Sequence, residues 1–137
     1  MKRKQLSLIF IITLLLSIVP LFACSSKKEN SSSNTFMQIK SDEAKKMMDS
    51  MDKYIILDVR TEDEYNEFHI ENAINIPDYE IRTKAEDILK DKNQTIFVYC
   101  RSGRRSKGAA KELVTLGYTN VIDFGGVIDW HYGFVSQ

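Results

Sequence analysis

From residue 36 onward, short continuous apolar runs alternate with segments whose apolar residues recur at helical spacing. Continuous runs are typical of strands covered on both faces in a parallel sheet, and spacings of three and four residues indicate helices with one buried face. Strands are therefore predicted at 36–39, 54–59, 73–77, 95–99 and 120–124.

The first two predicted helices begin with capping residues. Ser41 offers an N-cap, and the helix behind it is expected to bury one face, formed by Ala44, Met47, Met48 and Met51. Thr61 and Glu64 have the spacing of a capping box, which predicts a short helix over 62–68.

The last two predicted helices flank the fourth strand. Residues 78–90 form the first, whose apolar side is composed of Ile81, Ala85, Ile88 and Leu89. The second covers 107–114 and ends at Gly117, a typical residue after a helix. Gly125 and Gly126 follow the last strand, and Trp130 lies in the short segment after them.

This alternation of strands and helices predicts an α/β fold. Right-handed strand–helix–strand units build a central, mostly parallel sheet with helices on both faces, a three-layer arrangement. Ligands of such open sheets bind beyond the carboxyl ends of the strands. Cys100 stands at one of these ends, directly after the strand at 95–99.

The loop after Cys100 is the strongest chemical signal in the chain. Arg101, Arg104, Arg105 and Lys107 are cationic, and the helix that follows presents unpaired N–H groups at its start. Both features favour the thiolate, which is the reactive form of cysteine. We therefore expect an accessible, working thiol, and we expect that its lowered pKa makes a general base unnecessary.

An apolar stretch near the N-terminus has the layout of a secretory signal. A basic segment at 2–4 precedes an apolar run over 6–22 that is short for a spanning helix. The residues 21–24, Leu-Phe-Ala-Cys, resemble the lipobox of bacterial lipoproteins, in which cleavage leaves the cysteine lipidated. The alternatives are an uncleaved signal anchor and an ordinary cleaved signal, and neither gives Cys24 a role.

The chain is thus divided into three parts. Residues 1–23 are predicted to be a lipoprotein signal peptide, and residues 24–35 a flexible tether that starts at lipidated Cys24 and has almost no apolar side chains. Residues 36–137 form one domain of about 100 residues. From this organisation we expect the domain at the extracytoplasmic face of a bacterial membrane, held by its lipid anchor.

Charge and cysteine content narrow the possible functions. The 19 basic and 19 acidic residues give a formal net charge of zero, which excludes a strongly basic nucleic-acid-binding protein. With Cys24 lipidated, Cys100 has no partner for an internal disulfide. His69 and His131 are too few and too scattered for a metal site, and packed, hydrogen-bonded histidines are expected instead.

Three segments together resemble the single-domain rhodanese-type sulfurtransferases. They are 57–77, which begins Leu-Asp-Val-Arg, the loop 100–106, and Gly125-Gly126 with Trp130. The sequence departs from the family pattern where Phe68 and Asn72 replace the usual glycines and where no proline follows Gly133.

The resemblance implies a rhodanese-like fold and a sulfur transfer that needs no cofactor or metal. Cys100 would take a sulfane sulfur from a small sulfur-containing anion such as thiosulfate, hold it as a persulfide, and pass it to a thiol or to cyanide. The donor-binding residues carried over from the family are those of the loop, namely Arg101, Ser102, Gly103, Arg104, Arg105 and Ser106.

Several side chains near the loop have a structural alternative. Arg101 and Arg104 either bind the donor or are simply solvated, and Arg105 either points outward or braces the loop. Asp58 and Arg60 are expected to hold the strand end and to pair with a helix carboxylate such as Glu64. Trp130 is expected in the core, with a pocket mouth as the alternative.

Two other functions remain open for the sequence. A phosphatase or arsenate reductase on the same fold would resemble Cys-x5-Arg, which needs arginine at position 106, whereas this chain has Ser106 and the shorter Cys-x4-Arg spacing to Arg105. A non-enzymatic persulfide carrier or redox-sensing module would use the same Cys100 without turnover.

Overall fold

The fold was analysed in a computed structural model that describes residues 35–136. The predicted signal peptide, Cys24 and all but the last residue of the predicted tether lie outside the described residues. In the described part of the chain, no helix has the length and apolar character needed to cross a membrane.

In the part of the chain that the structure describes, five strands form one sheet in which every pair of neighbours is parallel. The strands are β1 (Met37–Gln38), β2 (Ile55–Asp58), β3 (Ala73–Asn75), β4 (Ile96–Cys100) and β5 (Val121–Gly126). Their order across the sheet is β1-β5-β4-β2-β3, so β4 is central. All five predicted strands are therefore present, each within two residues of its predicted ends.

Within residues 35–136, four α-helices and one short 3₁₀ turn connect these strands, and a second 3₁₀ turn follows β5. The helices are α1 (Ser41–Asp49), α2 (Glu62–Glu67), α3 (Ile81–Ile88) and α4 (Arg104–Thr115). The 3₁₀ turns are Asp78–Glu80 and Val127–Asp129. The predicted capping box of α2 is confirmed, because Thr61 accepts from the Glu64 backbone N–H while the Glu64 carboxylate accepts from the Thr61 N–H.

The sheet separates two apolar layers, which confirms the predicted helices on both faces. On one face, α3 and α4 pack against alternate residues of the central strands, among them Leu57 and Val98. On the other face, α1 packs against Ile56 and Phe97 through Ala44 and the methionines predicted to face the core. Because neighbouring strand residues point to opposite faces, these two sets interleave along each strand.

Two local predictions are wrong. Ser41 is not the N-cap of α1: Lys40 occupies that position, and the buried Ser41 hydroxyl donates instead to the carbonyl of Phe124 on β5. Ile88 is exposed rather than part of the apolar side of α3. The helix ends at this residue, so the following Leu89 turns inward and fills the core position.

The structure accounts for the two positions at which glycine is replaced. Asn72 has a φ of 63°, in the left-handed region that asparagine tolerates better than most residues other than glycine. Phe68 ends α2 in extended backbone, a conformation that needs no glycine. Its carbonyl accepts from Arg60 at 2.5 Å, and its ring packs against the same guanidinium.

Candidate active site

Cys100 is the last residue of β4, in the centre of the sheet, and the loop that follows it turns directly into α4. Gly103 is the N-cap of α4 and has a φ of 90°, a conformation that favours glycine. The loop therefore turns sharply enough to bring backbone N–H groups of the first helical turn back toward the Cys100 sulfur.

The sulfur of Cys100 is buried, contrary to the expectation of an accessible thiol. The residue is only 1% exposed. The neighbouring arginines and glycine favour exposure in the sequence, but Arg101 and Arg104 are exposed while Cys100 beside them is not. Very little of Cys100 is therefore open to solvent in this structure.

Hydrogen bonds from the loop favour the thiolate in spite of this burial. The Gly103 N–H lies 3.1 Å from Sγ, and the Ser106 hydroxyl oxygen lies 3.6 Å from it. Burial acts to raise the pKa of the Cys100 thiol, but hydrogen bonds from Ser106, Ser102 and Gly103 outweigh it and lower the pKa below its ordinary value. The predicted cradle of loop amides is thus present around the sulfur.

The loop is seated on β5 through Gly126. A Cβ at this position would lie 2.1 Å from the carbonyl oxygen of Arg101, so only glycine fits without a displacement. The same carbonyl accepts from the Ile128 N–H at 3.3 Å. Because this carbonyl is held against β5, the next peptide group can present its N–H to the sulfur.

The three arginines of the loop differ in exposure and in their partners. Arg101 and Arg104 are exposed, and Arg105 is half-buried and braces the loop. Its guanidinium donates to both carboxylate oxygens of Glu64 on α2, at 2.7 and 2.8 Å. This bidentate pair lowers the pKa of Glu64 to about 2, mainly through the hydrogen bonds from Arg105.

Asp58 and Arg60 form a buried ion pair at the end of β2, which confirms their structural role. The guanidinium reaches both Asp58 oxygens, with a shortest distance of 2.6 Å. The predicted pairing with Glu64 is wrong, because Glu64 is held by Arg105. Phe68 and Tyr99 rings cover the guanidinium of Arg60.

Two cavities open beside the loop. One, of about 300 Å³, is lined by Arg101 together with apolar side chains that include Phe68, Ile128 and Phe134. The other, of about 430 Å³, is lined by Arg104, Arg105 and residues of α3 and α4. Each cavity offers an approach to the loop with at least one arginine on its wall.

The structure also locates the two histidines and the tryptophan considered in the sequence analysis. His69 is packed and hydrogen-bonded as expected, with Nδ1 at 2.9 Å from the Tyr65 carbonyl and its ring stacked on Tyr65. His131 is exposed, so the expectation of a packed residue is wrong there. Trp130 is buried in the core. The described residues contain no cluster of three potential metal ligands.

Asp123 is a buried residue of the site that the sequence analysis did not single out. Its carboxylate accepts from the Ser106 hydroxyl at 2.7 Å. In the sequence, the signal that could have pointed to Asp123 is its charged side chain within the mainly apolar strand 120–124. Its proximity to Ser106 depends on the pairing of β5 with β4, which spacing along the chain does not reveal.

Comparison with known proteins agrees with this fold. The sequence matches the rhodanese-like domain family over residues 40–132. It is 43% identical over 74 residues to the thiosulfate sulfurtransferase PspE of Escherichia coli (strain K12), covering 53% of this chain and 70% of that protein. It is 35% identical over 105 residues to the putative sulfur carrier protein YrkF of Bacillus subtilis (strain 168), covering 74% of this chain and 56% of that protein.

A solved structure also resembles this fold. A rhodanese with anions from E. coli matches with a TM-score of 0.58 and 37% identity, covering 61% of this chain and 99% of that one. The fold and the site define the class of protein, namely a parallel α/β domain with a cysteine in an amide-lined loop after the central strand. Within that class, this chain belongs to the rhodanese-like domain family.

Proposed function

We propose that the protein is a sulfurtransferase that moves a sulfane sulfur from thiosulfate or a similar anion to a thiol or cyanide through a persulfide on Cys100. The observation that carries the proposal is the Gly103 N–H 3.1 Å from Sγ, within a loop whose hydrogen bonds lower the pKa of the thiol. The name of the E. coli relative, a thiosulfate sulfurtransferase, also supports it.

The proposed reaction has two displacement steps. The Cys100 thiolate attacks the outer sulfur of thiosulfate, an S–S bond forms, and the S–S bond of the donor breaks so that sulfite leaves with the electron pair. The acceptor then attacks the outer sulfur of the persulfide, and the electron pair of that bond returns to Cys100. The loop amides stabilise the anion on sulfur at each stage.

Intact-mass spectrometry tests the first step. After incubation with thiosulfate, the folded domain should gain the mass of one sulfur, and Cys100→Ser should gain none. Turnover is tested by thiocyanate formation from thiosulfate and cyanide. An unmodified wild-type protein that also gives no thiocyanate would contradict the proposal.

A persulfide carrier is the second candidate, favoured by the name of the B. subtilis relative. The burial of Cys100 also suits a sulfur that is held rather than turned over rapidly. Stoichiometric loading of Cys100 without steady-state thiocyanate formation would favour the carrier over the enzyme.

A phosphatase or arsenate reductase remains the less favoured alternative. Position 106 is occupied by a buried serine that hydrogen-bonds to Asp123, where that chemistry calls for an arginine. Phosphatase turnover in the absence of thiocyanate formation would reverse this ranking.

We also propose that the domain is held at the extracytoplasmic face of a bacterial membrane by lipid on Cys24. The support is the sequence pattern at 2–4, 6–22 and 21–24. In cells, the wild-type chain should incorporate a labelled fatty acid and sediment with membranes, whereas Cys24→Ser should do neither. Release of the wild-type protein into the soluble fraction without label would contradict this proposal.

A further inference from the structure

Asp123 is a buried carboxylate that the sulfur chemistry described above does not use. It is 2% exposed, and no basic side chain of residues 35–136 forms an ion pair with it. Its oxygens accept from the Ser106 hydroxyl at 2.7 Å, the Gln38 side-chain amide at 3.0 Å and the Gly125 N–H at 3.2 Å. A buried carboxylate without a cation is costly, and such groups concentrate at functional sites.

Ser106 connects this carboxylate to the reactive sulfur. Its buried Oγ lies 3.6 Å from Cys100 Sγ on one side and 2.7 Å from Asp123 Oδ1 on the other. A hydroxyl has one hydrogen to donate. The carbonyls of Gly103 and Gly125 are farther away, at 3.2 Å, and uncharged, so the hydrogen is directed to the carboxylate. The lone pairs of Oγ are then free to accept the thiol hydrogen.

The other groups around the sulfur stabilise an anion but cannot remove a proton. The N–H groups of Ser102, Gly103 and Ser106 are donors. The guanidinium of Arg105, which interacts electrostatically with Cys100 and is paired with Glu64, is also a donor. On the Asp123 side, Gln38 of β1 donates an amide hydrogen. Because Cys100 is only 1% exposed, an acceptor within the protein offers its proton a more direct route than bulk water does, which revises the expectation that no general base takes part.

We propose that Asp123 takes the proton of the Cys100 thiol through the hydroxyl of Ser106. The inference rests on the proposed function. The thiol S–H bond breaks as its proton passes to Ser106 Oγ, and the original Ser106 proton passes to the Asp123 carboxylate. The products are a thiolate and a neutral carboxylic acid, with no change in oxidation state. Asp123 acts through Ser106 and is a positioning residue, and the same path returns the proton once the acceptor has removed the sulfur.

The test measures the rate of persulfide formation with thiosulfate by rapid quench and intact mass, across about pH 5 to pH 9. Asp123→Asn keeps the shape and one hydrogen-bond acceptor but cannot take a proton. Its loading rate should fall roughly 100-fold near neutral pH and rise again with increasing pH, as hydroxide replaces the carboxylate as the acceptor of the thiol proton. Asp129→Asn makes the same change at an exposed residue after β5 and should keep the wild-type rate and pH profile.

A second pair of variants covers the possibility that Asp123→Asn does not fold, which circular dichroism would reveal. Ser106→Ala removes the connecting hydroxyl and should lose rate as Asp123→Asn does, whereas Ser106→Thr retains a hydroxyl and should recover it. A wild-type pH profile in Asp123→Asn, or equal rates in Ser106→Ala and Ser106→Thr, would overturn the inference. If the wild-type protein gains no sulfur at all, it is the proposed function that fails.

Discussion

At the scale of single residues, the charge of Arg105 is paired with that of Glu64. The two side chains join the start of α4 to α2 and are 21% and 26% exposed. Fixing the first turn of α4 in this way also fixes the N–H groups that surround Cys100. The ion pair therefore acts on the site by positioning the loop.

Arg105→Ala should lower the free energy of unfolding by about 1 kcal/mol at neutral pH. Because the folded-state pKa of Glu64 lies at about 2, below its ordinary value of 4.5, this stabilisation is present above about pH 4.5. It should disappear as the pH falls from about 4.5 to about 2, and the two proteins should converge there. Urea denaturation at a series of pH values measures the difference, with the exposed Arg104→Ala as the control.

The exposed arginines are the ones available to a donor. If Arg101 and Arg104 attract thiosulfate, Arg101→Ala and Arg104→Ala should each raise KM for thiosulfate by a few-fold and change kcat less. Lys111→Ala removes an exposed charge farther along α4 and should leave KM unchanged. Equal KM values in all three variants and the wild type would identify both arginines as solvated surface charge.

Asn72 shows how a departure from a family pattern is accommodated. Its φ of 63° is unfavourable for residues with a Cβ other than asparagine and aspartate. Asn72→Ala should therefore destabilise the fold by about 1 kcal/mol, while Asn72→Gly should be close to neutral. Thermal or urea unfolding of the two variants distinguishes them, and a stable alanine variant would show that the backbone at this position relaxes.

At the scale of elements, local signals predicted local structure well. The capping box of α2 and the glycine after α4 depend on residues within one turn, and both were correctly predicted. Ser41 was mispredicted because its hydroxyl has a partner on β5, 83 residues away in the chain. The burial of Cys100 was missed for the same reason, since it depends on where the loop backbone is seated.

The contact between the loop and β5 makes a test with two glycines possible. Gly126→Ala places a Cβ 2.1 Å from the Arg101 carbonyl oxygen and must shift the loop, so stability and sulfur loading should both fall. Gly108→Ala lies in the middle of α4 with no heavy atom within 4 Å of the new Cβ, and it should stabilise the protein by about 0.5–1 kcal/mol. Urea denaturation and intact-mass loading assays compare them.

The opposite order of stabilities would mean that the loop is not held against Gly126. If Gly126→Ala loads sulfur at the wild-type rate, the amides around the sulfur do not depend on the position of the Arg101 carbonyl.

At the scale of the whole molecule, Asp58 and Arg60 hold the carboxyl end of β2 beside β3 and α2. Both side chains are almost completely buried, with 0% and 2% exposed. Removing one partner leaves the other charge unpaired, so Asp58→Asn or Arg60→Met should each destabilise the fold by roughly 3–5 kcal/mol.

The double variant Asp58→Asn, Arg60→Met should cost less than the sum of the two single variants, because no unpaired charge remains. Urea denaturation of the four proteins completes the cycle. Additive losses would mean that the two residues stabilise the fold independently of each other.

The sequence predicted the parallel sheet and its two covered faces because buried strands and amphipathic helices have distinct periodicities. It did not predict the strand order, which brings β5 beside β4 and so Asp123 beside Ser106. Cys100 was found from its place between a strand and a helix. Asp123 was not, because its part in the site exists only through tertiary pairing.

The enclosure of Cys100 has a consequence for selectivity. Because so little of Cys100 is exposed, the size of a reagent should affect its access to the sulfur more than its charge does. If Cys100 transfers sulfur as proposed, cyanide and small inorganic anions should react with it faster than a bulky alkylating agent or a tripeptide thiol does. The loop would then select reagents by size and would protect a sulfur held on Cys100 from bulky reductants.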